Sequence, residues 1–328
     1  VVRVNAASTS GLTTIGRRLG VDPAVAVAYG CVVALLLIGS IYSPNFLSGP
    51  YLLQQLKVAS FLGIVATGMM FVILLGQIDL SLPWVLTTGA MMASAAAAHT
   101  GIVATLSVPF GLLCGAAIGL VNGFAVAYMR VPSMIVTLAT NAVAQGLMIA
   151  YTGGFSPRDT ASPLMRALAT GSLIPGVANG VLVWAVVAVL ALFLLRRTTF
   201  GRALYAIGNR ERAAYMSGLA TRWTTLWAFV ISGLLSALGG VLLAGYSAKA
   251  SQSMGDAYLL PAIAAVVLGG THVMGGKGSY LGTIAGVILV TLLQSILSVM
   301  QIEESGRQLI YGAVIVVMLL LYGRQRSL

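Results

Sequence analysis

Long apolar stretches alternate along the chain with brief polar or charged interruptions, and the stretches are far too long for strands. Those free of Asp, Glu, Lys and Arg run Pro23–Leu56, Val58–Ile78, Leu80–Met129, Val131–Pro157, Ala167–Leu195, Trp223–Ala248, Ala257–Gly276, Gly278–Ile302 and Gln308–Gly323. A helix crossing about 30 Å of hydrocarbon needs about 20 apolar residues. The third stretch can hold two such helices, with His99-Thr100-Gly101 as the break. The pattern predicts an all-α polytopic chain of about ten spans, with interrupted helices and a helix in the 196–222 loop. Residues 23–323 form one membrane domain between tails at 1–22 and 324–328. The weakest spans are Pro261–Met274, interrupted by Pro261, Gly269 and Gly270, and the short final one. The apolar run after the tail is too long for a signal-peptide core and lacks a clean cleavage site, so it is expected to be the first span.

Composition agrees with a lipid environment. Of 328 residues, 59% are apolar and 8% charged, and the mean hydropathy is +0.98; soluble chains carry about 25% charge. Lys and Arg number 18 against 7 Asp and Glu, a net charge of +11. In a soluble chain that excess would suggest nucleic acid. Here it indicates orientation, because basic residues gather in cytoplasmic loops. With the N-terminus inside, ten spans leave only Lys57, Arg158, Arg166, Lys249 and Arg307 outside; the other thirteen basic residues are cytoplasmic, the 196–222 loop foremost. Cys31 and Cys114 sit in apolar runs and suit buried packing positions, not a disulfide or a metal site.

Catalytic chemistry is absent from the pattern. His99 and His272 fall in different loops, and Gly269–Gly278 fails the phosphate-loop pattern because Gly278 follows Lys277. Ion coupling usually needs carboxylates or histidines within the bundle, and Asp79 alone is a candidate. Ser133, Thr137, Asn141 and Gln145 recur every four residues along one helix face. They read either as hydrogen-bonding glue between helices or as a pathway for an uncharged hydroxylated solute. Two spans are interrupted, at Gly76-Gln77-Ile78-Asp79-Leu80-Ser81 and at Gly269–Gly278, and paired interruptions mark pathways in transporters. Asp79 or Ser81 could also cap the helix entering at Pro83.

The loop Arg196–Arg222 is basic and amphipathic. Within it, Glu211–Met216 reads as a short helix opening after Asn209 and closed by Gly218. Such a helix could lie on lipid headgroups or plug into a partner protein.

Gly208-Asn209, Glu211, Arg212, Ala213-Ala214 and Gly218 resemble the Glu-Ala-Ala…Gly coupling loop of ABC importer permeases, above all the ribose/xylose/galactose class of monosaccharide permeases. Ser43-Pro44-Asn45-Phe46, Ile78-Asp79-Leu80-Ser81 and Ala262–Gly270 leading to Gly275–Gly278 match that family in order and spacing, so the likeness covers roughly Leu35 to Tyr322. The chain departs from it at Gly76-Gln77, at Leu82-Pro83 and at Arg212, where many members carry Glu. The resemblance implies a non-catalytic subunit without a cofactor of its own, ATP and Mg being held by partner ATPase subunits. A second permease subunit and a periplasmic sugar-binding protein complete the expected assembly in the inner membrane, with both termini cytoplasmic. The interruption at 76–81 leads to the expectation that Gln77, Asp79 and Ser81 border the pathway. Open alternatives are a permease for another solute, such as a branched-chain amino acid or a furanone signal, a secondary transporter and a membrane-embedded enzyme.

Overall fold

The computed structural model describes residues 23–42, 44–155, 157, 159–303, 305–313 and 316. The expected tails, with Arg3, Arg17, Arg18, Arg324 and Arg326, lie outside these residues, as do Ser43 and Arg158. Among the described residues the chain is helical without a named strand. The helices are α1 (Pro23–Tyr42), α2 (Gly49–Leu74), α3 (Leu82–Ala97), α4 (Ile102–Thr105), α5 (Ser107–Ala127), α6 (Ser133–Thr152) and α7 (Pro163–Thr170). After them come α8 (Asn179–Arg197), α9 (Thr199–Met216), α10 (Thr221–Ser247), α11 (Leu259–Leu268) and α12 (Tyr280–Val299).

Six of these, α2, α5, α6, α8, α10 and α12, are long and apolar enough to cross a membrane. The chain is therefore a multi-pass all-α membrane protein; the expected last span, Gln308–Gly323, lies mostly outside the described residues, and the count of about ten is not confirmed. Two predicted spans are too short. α3 has 16 residues, or about 24 Å at 1.5 Å per residue. α11 has 10, about 15 Å, and reaches only half-way across the hydrocarbon layer. The stretch Ala167–Leu195 divides into the end of α7, a turn and α8. Lys57, expected to separate two spans, lies inside α2. Its Nζ sits 5.1 Å from the centre of the Tyr246 ring, so a charge near a helix end is accommodated by an aromatic face without ending the helix. Cys31 faces outward from α1 and Cys114 is half-buried, so Cys31 is not the buried packing residue expected.

α2 and α10 form the centre. α2 is buried without interruption from Ala59 to Leu74, and α10 packs against α2, α3, α5 and α7. Helices in lipid associate through close van der Waals contact, which small residues permit. α5 supplies such a seam with Gly111, Gly115, Gly119 and Gly123. A Cβ on Gly119 would strike the Phe229 carbonyl, and one on Gly123 the Leu226 carbonyl, both on α10. Backbone atoms cannot move aside as side chains do. Gly119→Leu is therefore expected to separate α5 from α10 and cost about 1–3 kcal/mol or more; a lower thermal midpoint in detergent, beside an unchanged Gly146→Leu control with open space around it, checks this.

Candidate functional site

Both interruptions begin in the same way. At the end of α2, Gly76 adopts φ +74, its N–H bonds to the Ile73 carbonyl, and the Gln77 N–H reaches back to Val72. At the end of α11, Gly270 adopts φ +87, with its N–H on Val267 and the Thr271 N–H on Val266. These are left-handed helix stops of the kind that favours glycine. They end the two helices and turn the chain aside.

The two turns then meet. The Gly276 N–H donates to the Leu74 carbonyl at 3.0 Å, and a Cβ on Gly275 would press on the Gly76 backbone. α9 lies against this junction. A Cβ on Gly208 would run into the Leu74 carbonyl and the Gly276 amide, and the Gly276 backbone lies against Asn209. Tyr205 Oη donates to the Gly278 carbonyl at 3.0 Å.

α9 is two helices. Arg210 has φ −164 and ψ 96, which divides a first segment starting at Thr199 from a second at 211–216. The first opens with the Gly201 N–H on Thr198 Oγ1 at 3.2 Å. The second closes with the Gly218 N–H on Tyr215, the Leu219 N–H on Ala214 and Gly218 at φ +81. The predicted 211–216 helix and its glycine stop are thus present; the helix before it is not evident from the sequence pattern. Ala214 is buried, whereas Glu211, Arg212, Ala213 and Gly218 are exposed, with Tyr215 and Met216. An outward surface of mixed charge and apolar side chains is suited to receive a partner.

Beyond the α2 stop, the segment 77–81 leads back into the bundle. Asp79 is 1% exposed. Its Oδ1 accepts from the Ser81 N–H at 3.1 Å and Ser81 Oγ at 2.6 Å, and its Oδ2 accepts from Ser232 Oγ at 2.8 Å. Asn122 Nδ2 donates to Ser81 Oγ at 2.8 Å. Ser232 lies eleven residues into α10, about 16 Å along it, so the carboxylate is deep in the protein. Ser81 stands at the helix start but makes no side-chain cap bond, and Asp79 forms a local turn with Ser81 without capping α3. Side chains of α6 bond instead to the segment leading into α3 and to its first turn. The Leu80 N–H donates to Thr137 Oγ1 at 3.0 Å, while the Ile78 N–H reaches Ser133 Oγ and the Trp84 N–H reaches Asn141 Oδ1, both at 3.4 Å.

Of the four-residue ladder, Ser133 and Thr137 therefore bond to the interrupted segment and Asn141 to the first turn of α3, which favours the glue reading for them. Gln145 is exposed and apart from this network. Gln77 is half-buried beside Leu75 on the wall of a cavity that also touches Glu211 and Arg212. Asn122 and Ser232 were missed by sequence reasoning, although a lone carboxamide in the apolar α5 is a signal of its own. Among the described residues no group of three His, Cys, Asp or Glu side chains could hold a metal ion.

Residues 51–319 match the model of the family described as branched-chain amino acid transport system / permease component. The chain belongs to this permease family. The permease is 35% identical to the ribose import permease protein of Haemophilus influenzae over 88% of its own length and 90% of that protein. It is 33% identical to the ribose import permease protein of Bacillus subtilis (88% and 89%) and 34% identical to that of Escherichia coli K12 (90% and 92%). No solved structure matches it.

Proposed function

We propose that the chain is the membrane-spanning subunit of a bacterial ABC importer that passes a monosaccharide or similar neutral polyol. The observation that carries this reading is the junction of α9 with both interrupted helices at Gly208, Leu74 and Gly276. It sets an exposed helix directly against the turns that end both interrupted helices. The relatives named as ribose import permeases supply the substrate class. The end bearing the 196–222 segment is cytoplasmic by its basic residues, and both termini lie on that side.

In this reading the permease itself hydrolyses nothing. ATPase subunits, holding ATP and Mg, dock on the exposed face of 211–216. A second permease subunit, identical or not, completes the pathway, and a periplasmic sugar-binding protein delivers the cargo. Closure of the ATPase subunits draws on 211–216. Through the first segment of α9, the pull reaches Leu74 and Gly276 and then the 77–81 segment with Gln77, Asp79 and Ser81 beside the pathway. Neutral donors and acceptors suit a polyol, whose hydroxyls need partners but carry no charge.

Ala214→Leu and Gly218→Val test the connection in proteoliposomes with ATPase and binding protein. Ala214 is buried at the underside of the helix and Gly218 needs its positive φ. Uptake of labelled ribose is expected to fall about tenfold, within the span of ordinary coupling free energies, while ATP hydrolysis continues. Unchanged uptake by both assembled variants would sink the coupling assignment.

A further inference from the structure

At the α9 end of the bundle a cavity of about 660 Å³ opens between the α2 interruption, the turn joining α5 to α6, the second segment of α9 and the start of α10. Arg130, Arg212 and Arg222 stand on its wall with one carboxylate, Glu211, and the carboxamide of Gln77. Three guanidiniums around one concavity exceed anything an uncharged sugar needs. Arg130 adopts φ +56, uncommon for a residue with a side chain, in the tight turn between α5 and α6. Arg222 lies over the Tyr128 ring at 5.8 Å. Met129, Tyr215 and Trp223 are exposed nearby and give the arginines apolar surroundings.

We propose that this cavity binds a phosphate group carried on a polyol, the chemistry shared by the headgroup of phosphatidylglycerol and a small phosphorylated sugar. Guanidinium presents paired N–H donors that match two phosphate oxygens, and three of them outweigh Glu211. Gln77 and Glu211 are left for the polyol hydroxyls. Arg212 sits on the second segment of α9, beyond the hinge at Arg210, whereas Arg130 and Arg222 belong to the helix bundle. A bound phosphate therefore ties the segment that meets the ATPase to the bundle and resists its displacement. The lipid source rests on the cytoplasmic placement of this end; the cavity and its charges do not.

The test uses the transporter assembled with its ATPase in phosphatidylcholine vesicles, with or without phosphatidylglycerol, and with or without inorganic phosphate. Native mass spectrometry reads retained lipid, and the thermal midpoint reads phosphate. The wild-type protein is expected to retain phosphatidylglycerol, to gain stability from phosphate, or both. Arg130→Gln with Arg222→Gln should weaken the effect about tenfold, while Arg166→Gln at the opposite end leaves it unchanged. Retention of the lipid alone assigns the site to the membrane, a phosphate effect alone assigns it to a soluble ligand, and both assign it to the shared group. Neither effect in the wild type, including because the ATPase covers the cavity, or an effect untouched by the double variant, overturns the proposal. Ribose uptake in pure phosphatidylcholine is measured alongside, so a failed transport reading is told apart from an empty site.

Discussion

Asp79→Leu is expected to abolish transport and to destabilise the permease, whereas Asp79→Asn should retain most of the folded protein. Three donors, the Ser81 N–H and the hydroxyls of Ser81 and Ser232, give their hydrogens to this carboxylate inside the bundle. Leucine removes the acceptor and leaves them facing one another without water. Each buried donor stranded in this way costs about 1–3 kcal/mol, and the costs compound because Asn122 is bonded to the same Ser81 hydroxyl. Asparagine keeps an amide oxygen for Ser81 and offers an N–H₂ to the Ser232 oxygen. The thermal midpoint of purified protein and sugar uptake in vesicles check the pair. A leucine variant as stable as the asparagine variant would contradict the network's structural weight.

Gly208→Leu has the second large expected effect, and it is of a different kind. The new Cβ points at the hydrogen bond between the Leu74 carbonyl and the Gly276 amide. Both groups are backbone, so α9 must lift away or the two glycine turns must part. The transmembrane packing of α2 against α10 lies elsewhere and should survive. The expected outcome is a chain that inserts and binds its ATPase partner yet loses at least about tenfold in uptake per ATP hydrolysed. Gly208→Ala already brings the clash and should show a smaller loss in the same direction. Measuring hydrolysis and uptake on one proteoliposome preparation separates lost coupling from lost assembly.

Helix identity was legible in the sequence because charge-free stretches and helix length are tied by the thickness of lipid. The two interruptions, at 76–81 and 269–278, and the 211–216 helix with its Gly218 terminus are legible for a local reason: glycine and polar residues mark them within a few positions of chain. Lys57 is not the boundary its charge suggests, because an aromatic ring from α10 shelters it within α2. α11 misled because apolar length from 257 to 276 includes residues of a turn, and hydropathy does not distinguish turn from helix. The roles of Ser133, Thr137 and Asn141 depended on which backbone they would face. Their spacing announced a polar stripe; the contact with α3 is a property of the folded chain alone. Asn122 and Ser232 were hidden for the same reason, each being an isolated polar residue on a helix far along the chain from Asp79.

The bonding of α6 to the start of α3 bears on how the protein is made. The segment leading into α3 and the first turn of α3 carry backbone N–H groups, on Ile78, Leu80 and Trp84, whose acceptors, Ser133, Thr137 and Asn141, follow about 55 residues later in the chain. An unpaired backbone donor in hydrocarbon costs several kcal/mol. When α3 leaves the ribosome, those acceptors have not yet been synthesised. This 16-residue helix is therefore poorly suited to enter lipid alone and is expected to stay beside the insertion machinery until α6 arrives. The expected consequence is that α3 and α6 enter the bilayer together, with α6 as the piece that permits the departure of α3.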